Sequence, residues 1–446
     1  MAFDLRQKRS LTQYHGKLRH YPGSWHRDRI RLQEAMHNTT PQCSIIIPVY
    51  NKWELTRNCL ASLKEHSAGH DLEVVVVDNG SSDATATELK SLGASLFGAR
   101  FVPIVFAENR NFGPACNAGA QQATAPVLFF LNNDTLLTPN WFAPLVEALL
   151  GDATLGAVGP LLLYEDNTVQ HLGVVHGPRG PVHLYRNFRR DHPVVTKRRR
   201  FQAITGAAMM LRATTFHDCG GFWPDYRNGF EDVDLCCQIY RRGLYMTCVP
   251  ESVVYHLESQ TPGRKDCDGH NSELVHQRCE GLFYIDQHHH VMKDGLAVKL
   301  DDTLCLSTVL QQKDELLLLQ QARQLGREGF MRLVRDNPLW LLGREVLAST
   351  LEKEGGHEGA MLLYEDLANL DTVLPRMREL ERCLRRFPSP EVAQFLQNSM
   401  RRVMFMRENT QYCNATVRRI QGRIHPAGDA FLLKLLDAKL AEMFPV

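Results

Sequence analysis

The stretch CSIIIPVYNKWELTRNCLASLKEH, residues 43–66, followed by LEVVVVDNGSSDATATELKSLG, residues 72–93, decides the fold. Cys43–Pro48 is apolar along its whole length, and Lys52–His66 carries Trp53, Leu55, Leu60 and Leu63 at helical spacing. Leu72–Asp78 is a second continuous apolar run. A helix at about Ser82–Leu92 follows it, with Ser81, Ser82 and Asp83 as capping candidates. Strands that are apolar throughout, alternating with helices at short spacing, predict a parallel sheet covered on both faces. Working outward, the spacing predicts a strand at Phe101–Phe106 and a helix at Pro114–Ala123 with proline in its first turn. A strand at Pro126–Leu131 and a helix at Pro139–Leu150 come next. Ligands of such sheets bind beyond the carboxyl ends of the strands. That rule marks Tyr50-Asn51, Asp78-Asn79 and Asn132–Asp134.

Further along, Gly156–Leu163 and Arg200–Thr205 read as strands, and Glu231–Arg242 as a helix with an acidic start. Tyr245–Val249 and Val253–His256 read as two short extended pieces, and Pro178–Pro193 as a loop. After about residue 290 the texture becomes all-α. Helices are expected at Leu304–Leu325, Pro338–Glu352, Gly359–Leu370, Leu374–Arg386, Pro390–Met406 and Ala430–Met443. The 338–370 pair has a loose tetratricopeptide-like phase with no second copy, so a generic helical bundle is the better reading. The expected organisation is an N-terminal extension at 1–40, an α/β domain at 41–290 and a helical domain at 291–446. His288-His289-His290 reads as a solvated junction between the last two.

The 446 residues are 44% hydrophobic and 23% charged, which excludes collagen-like, disordered and disulfide-scaffold chains. With 51 Lys+Arg against 50 Asp+Glu the net charge is +1, which gives no ground for nucleic-acid binding. The apolar runs have strand length, the N-terminal residues lack a signal-like apolar stretch, and the twelve cysteines include no C-x-x-C pair. Reduced thiols and a cytoplasmic location are therefore expected. The run Lys197–Arg200 reads as a solvated loop, with peripheral contact to an anionic membrane face as its functional alternative. Cys267, His270, His276 and Cys279 match no common zinc spacing.

Four groups carry candidate chemistry. Asp78 could accept from a base or ribose, or could simply cap a turn. Asp134, after Asn132-Asn133, could hold a divalent cation against a diphosphate, or could cap a helix. Glu231, Asp232 and Asp234 stand at a helix start, where carboxylates are favoured by the helix dipole and where one could act as a general base. His256 is a candidate metal ligand and Arg264 a candidate phosphate partner.

Their order along the chain is distinctive. CSIIIPVYNKWELTRNCLASL, VVVVDNGSSDAT, NRNFGPACNAGA, VLFFLNNDTLLTPNWF, ITGAAMMLRATTFHDCGGFWPDYRNGFEDVDLCCQIYRRG and VVYHLESQTPGR together resemble a family 2 inverting glycosyltransferase with the GT-A fold. The likeness is to bacterial rhamnosyl-, galactofuranosyl- and polysaccharide-type members and runs from about Cys43 to about Arg264. It implies a Rossmann-like mixed sheet and a nucleotide-sugar donor. Pro48, Tyr50 and Asp78 would line the nucleoside pocket, and Asn111, Asn117 and Asn133 would lie along the nucleotide. Asp134 and His256 would hold Mn²⁺ or Mg²⁺, Arg264 would sit near the diphosphate, Asp232 would be the base, and Glu231 would touch the acceptor or orient that base. A glycan, lipid-linked or protein acceptor fits equally, and the helical region could support self-association. One departure is Asn132, where the metal motif of the family begins with Asp. It removes a charge and keeps a rival open, a non-catalytic nucleotide-sugar-binding protein. A nucleotidyltransferase would need an early Gly-rich phosphate loop, which Pro48-Val49-Tyr50-Asn51 is not.

Overall fold

The computed structural model describes residues 40–257 and 267–444. The expected N-terminal extension up to residue 39, and Arg264, lie outside the described residues. The described residues divide into two compact units, one of residues 40–166 with 198–257 and 267–279, and one of residues 167–197 with 280–444.

The first unit follows the alternation expected from the sequence. It contains β1 (Cys43–Val49), α1 (Trp53–His66), β2 (Leu72–Asp78), α2 (Thr85–Phe97), β3 (Phe101–Val105), α3 (Phe112–Gln122), β4 (Val127–Leu131) and β5 (Thr135–Leu137). After these come α4 (Ala143–Gly151), β6 (Leu155–Leu163), β7 (Ala208–Arg212), α5 (Ala213–Asp218), α6 (Glu231–Tyr240), β8 (Tyr245–His256) and α7 (Asp268–Cys279). Its strands pair in the order β3-β2-β1-β4-β7-β6-β8-β5. The β3-β2-β1-β4 stretch is parallel, while β7 runs antiparallel to both β4 and β6. Register sets Val49 beside Asp78, so the loops after β1 and β2 leave the sheet at the same edge.

The core forms where the parallel strands meet the helices. Ile45, Ile47, Val74, Val76, Phe129 and Leu131 are buried together with Leu60, Leu63, Trp141 and Leu145. Each such aliphatic side chain contributes about 1.5–3 kcal/mol on leaving water. Burial on both faces is why these strands show no apolar–polar alternation.

Two sequence expectations change here. The strand placed at Arg200–Thr205 lies instead at Ala208–Arg212, and Phe201 makes only an isolated bridge to Met246. Arg212 obscured it: the residue is buried in the sheet because its guanidinium donates to the Leu155 and Leu149 carbonyls. The two short pieces at 245–256 are one strand, with a register shift between Val249 and Val253 where it pairs with β6.

The second unit is mostly helical. It contains α8 (Gln287–Lys293), α9 (Gln312–Ala322), α10 (Arg327–Asp336), α11 (Leu341–Lys353), α12 (His357–Leu370), α13 (Leu374–Arg386), α14 (Pro390–Glu408), α15 (Thr410–Gly422) and α16 (Ala430–Met443). Trp340, Leu347, Ala348, Ala360, Leu367, Met377, Leu380 and Leu396 share its core. Residues 167–197 also belong to this unit, and their hairpin pairs Val174–Gly177 with Gly180–His183. The helix expected from Leu304 starts only at Gln312, because Leu306–Val309 pairs with Ala297–Leu300. The turn between those strands places Leu304 at φ 62° and is closed by the Asp301 carboxylate, which accepts from the Thr303 and Cys305 N–H groups. His288 is buried rather than solvated, since Asp429 accepts from or pairs with its ring at 2.6 Å. No helix among the described residues is long and apolar enough to cross a membrane, and none of the twelve cysteines is in a disulfide.

Candidate active site

The loops after β1, β2 and β3 are sewn together by amides. Asn51, at φ 57°, donates its N–H to the Ser81 hydroxyl at 2.8 Å, and its Oδ1 accepts from the Ser82 N–H at 2.8 Å. Asp83 accepts from the Trp53 and Thr85 N–H groups. Burial opposes ionisation of Asp83, but hydrogen bonds from Thr85, Trp53 and Lys52 outweigh it and hold the carboxyl below its usual range. Buried Asn79 donates to Asn109 Oδ1 and the Asn111 carbonyl, at 3.0 and 3.1 Å, and accepts from the Arg110 N–H at 2.8 Å. Gly80 must be glycine: its φ is +81°, and a Cβ there would stand 2.6 Å from the Glu108 backbone carbon. Within this frame Asp78 is buried, with Oδ1 accepting from the Ser81 N–H, while Tyr50 stands 46% exposed beside it in the loop.

The second cluster lies at the end of β4. Antiparallel pairing of β5 with β8 sets His256 opposite Thr135 and brings the Leu257 N–H onto the Asp134 carbonyl. The His256 Nε2 is thereby 3.1 Å from Asp134 Oδ1 and 3.3 Å from the Asn132 amide nitrogen. Asn133 turns the other way and donates to the Thr56 hydroxyl of α1 at 2.9 Å. Beneath the tripeptide, burial pushes the Cys59 thiol up to about 12, so it is an uncharged neighbour of Asp134.

The third cluster is the start of α6. Half-buried Asp232 accepts from the Gly206 N–H through Oδ2 and from the Val233 N–H through Oδ1, both at 2.8 Å. The next carbonyl, that of Ala207, accepts from the Asn132 N–H at 2.8 Å. The Gly206-Ala207 dipeptide thus ties the Asp232 carboxylate directly to the Asn132–Asp134 segment. Glu231 is buried and accepts from the Gly229 N–H at 2.6 Å, as an N-terminal carboxylate does. Asp234 lies on the far side of the turn. Arg278 binds it at 3.0 and 3.1 Å and lays its guanidinium 3.7 Å over the Trp223 ring.

Sequence reasoning named Asp78, Asp134, Asp232 and His256, and these stand at the carboxyl edge of the sheet or are linked to it as described. Asn111 is there through its backbone, at φ 68° and ψ 176°, where it opens α3. Asn117 is engaged elsewhere: its amide exchanges two hydrogen bonds with the Phe222 backbone, at 2.8 and 2.9 Å. Pro48 sits in β1 opposite Val77. Asn51 and Asn79 were marked at the strand ends without a role, and Gly206 and Trp223 were missed.

A divalent cation suits this donor set. One carboxylate oxygen and one imidazole nitrogen converge, with the Asn132 amide nitrogen beside the imidazole, and Mg²⁺ or Mn²⁺ usually takes only one or two carboxylates and completes its shell with phosphate and water. Residues 44–215 match the description "Glycosyl transferase family 2". Over 233 residues the chain is 31% identical to the O-antigen biosynthesis protein RfbC of Myxococcus xanthus, covering 49% of this chain and 18% of that protein. It is 28% identical over 246 residues to the validoxylamine A glucosyltransferase of Streptomyces hygroscopicus subsp. limoneus, covering 48% of this chain and 51% of that one. The chain thus spans about half or less of the length of these curated relatives. Among solved structures, a mannosyltransferase from Pyrobaculum calidifontis in complex with GDP-Man and Mn²⁺ aligns over 86% of this chain and 94% of that one, at 16% identity and a TM-score of 0.40.

Proposed function

We propose, from the match of residues 44–215 to glycosyl transferase family 2, that this protein is an inverting glycosyltransferase, moving a sugar from a nucleoside-diphosphate donor to a hydroxyl of a glycan acceptor. The observation that carries the reading is the Gly206-Ala207 link. The N–H of Gly206 fixes Asp232, the carbonyl of the next residue fixes Asn132, and two residues on from Asn132 stands Asp134. A base for the incoming hydroxyl and a site for the leaving diphosphate must be held in one geometry, and two adjacent residues of one backbone segment do this with little conformational freedom.

The roles follow from the chemistry of each group. Asp78 and Tyr50 flank the nucleoside, with the Asp78 carboxylate accepting from a base N–H or ribose hydroxyl. Asp134 and His256 would hold Mg²⁺ or Mn²⁺, which when bound neutralises charge developing on the diphosphate. Asp232 takes the proton of the acceptor hydroxyl as that oxygen attacks the anomeric carbon from the face opposite the diphosphate. Two backbone N–H groups fix the Asp232 carboxylate and leave lone pairs for that proton. A single displacement inverts the anomeric centre with no covalent enzyme intermediate. The relatives named for O-antigen biosynthesis and glucosyl transfer support a carbohydrate product.

The test is nucleoside-diphosphate release from UDP-, dTDP- and GDP-sugars with Mn²⁺ or with EDTA, comparing wild type with Asp232→Asn. Slow release from one donor, abolished by EDTA and lost in the variant, is the expected result. Donor binding without release in the presence of glycan acceptors would instead make this a nucleotide-sugar-binding protein.

A further inference from the structure

A second cluster of ligating atoms lies in the helical unit. His288, His289 and Asp429 each offer one possible ligand atom, and these atoms lie within 4.8 Å of one another. Asp429 divides its oxygens. Oδ1 caps α16 by accepting from the Leu432 N–H at 3.0 Å, while Oδ2 faces His288 Nε2 at 2.6 Å and His289 Nε2 at 3.4 Å. A helix cap needs only the first oxygen. The second receives two imidazoles from consecutive residues, which an α-helix ordinarily directs about 100° apart. Here the two rings are brought to 4.0 Å between centroids. Phe431 lies nearly parallel to the His288 ring, at 5.9 Å and 11°, and closes the apolar side.

We propose that His288, His289 and Asp429 form a divalent transition-metal site, of zinc type, that clamps α8 to the start of α16. Two imidazole nitrogens and one carboxylate oxygen suit Zn²⁺, Co²⁺ or Ni²⁺ and not Mg²⁺ or Ca²⁺. Three protein ligands leave a fourth position open, and the 64% exposure of the His289 side chain places that position at the surface. His288 Nδ1 is buried with no hydrogen-bond partner among the described residues, so nothing orients this ring from behind. Loss of such an orienting partner weakens zinc sites by roughly 10–100-fold, so affinity on the order of micromolar is expected. The site closes a chain segment of more than a hundred residues, and its occupancy raises the thermal stability of the helical unit.

The experiment uses the full chain, stripped with EDTA and titrated with Zn²⁺ against a chromophoric chelator, and then melted with and without Zn²⁺. His289→Ala is the chosen variant because that side chain is mostly in solvent and its loss leaves the fold intact. Asp134→Asn serves as the control for the cation site of the first unit. Wild type and Asp134→Asn should share one micromolar Zn²⁺ equivalent that raises the melting temperature, and His289→Ala should lack both the equivalent and the shift. Equal Zn²⁺ stoichiometry and affinity in wild type and His289→Ala, or no binding below about 100 µM in wild type, would overturn the proposal.

Discussion

At the scale of single residues, Asn132 sets the character of the cation site. Its amide nitrogen faces His256 at 3.3 Å, where a carboxylate would present a charged oxygen. Asn132→Asp therefore adds a hard ligand beside Asp134, and the Mn²⁺ concentration giving half-maximal donor turnover should fall by about tenfold or more. A metal titration of activity measures this, and an unchanged midpoint would remove residue 132 from the metal's surroundings. Asp232→Asn keeps an acceptor for one of its two N–H partners but cannot take a proton, so turnover should fall by about 10²–10⁴ with donor affinity retained. Charged residues at strand and helix ends stood out in the sequence through their order along the chain, since each alone could equally cap a turn or a helix. Gly206 was not legible. Its importance is a hydrogen bond to a residue 26 positions away, and nothing local announces it.

At the scale of elements, the apolar runs marked β1, β2 and β4 almost to the residue, because a strand buried on both faces is mostly apolar, its few polar residues such as Ser44 and Glu73 being paired by hydrogen bonds. Legibility failed where long-range pairing overrides local preference, as in the hairpin at 297–309 that replaces a helix start, or where a buried arginine disguises a core strand. The loops were read as turns, yet their content is mutual attachment. Asn79 satisfies the Arg110 N–H and the Asn111 carbonyl, so Asn79→Ala leaves both without that partner at a cost of about 1–3 kcal/mol each if they stay dry. Gly80→Ala meets the Glu108 backbone and a left-handed φ together. Both variants should raise the donor KM at least severalfold while far-ultraviolet circular dichroism stays native. A wild-type KM in both would show that the 106–111 loop does not border the donor.

At the scale of the whole molecule, the helical unit is discontinuous in sequence, so ending the chain near residue 290 does not remove it cleanly. Residues 167–197 carry the buried side chains Leu184, Tyr185, Phe188, Val194 and Val195. Tyr185 donates to Asp294 at 2.6 Å, and the Gly177 and Pro178 carbonyls accept from Arg423. His176 is the most sensitive point of this strap. Its ring stacks on Phe283 at 4.3 Å, and its backbone N–H donates to Asp286 Oδ1 at 2.7 Å. Burial lowers its pKa from 6.5 to about 4, with Arg423 adding to the shift and Asp286 opposing it. The folded form therefore keeps a neutral ring in a range where the unfolded chain already binds a proton. Its contribution to stability is complete above pH 6.5 and declines as the pH falls toward 4, by up to about 3 kcal/mol. In His176→Phe the ring can still stack on Phe283 and Arg423 keeps its two carbonyls, but the titrating nitrogen is gone. Chemical denaturation at several pH values should show wild type and variant nearly parallel above pH 7 and diverging in favour of the variant below pH 6. Parallel curves down to pH 4 would mean that the ring is solvated and protonates freely, with the strap open around it.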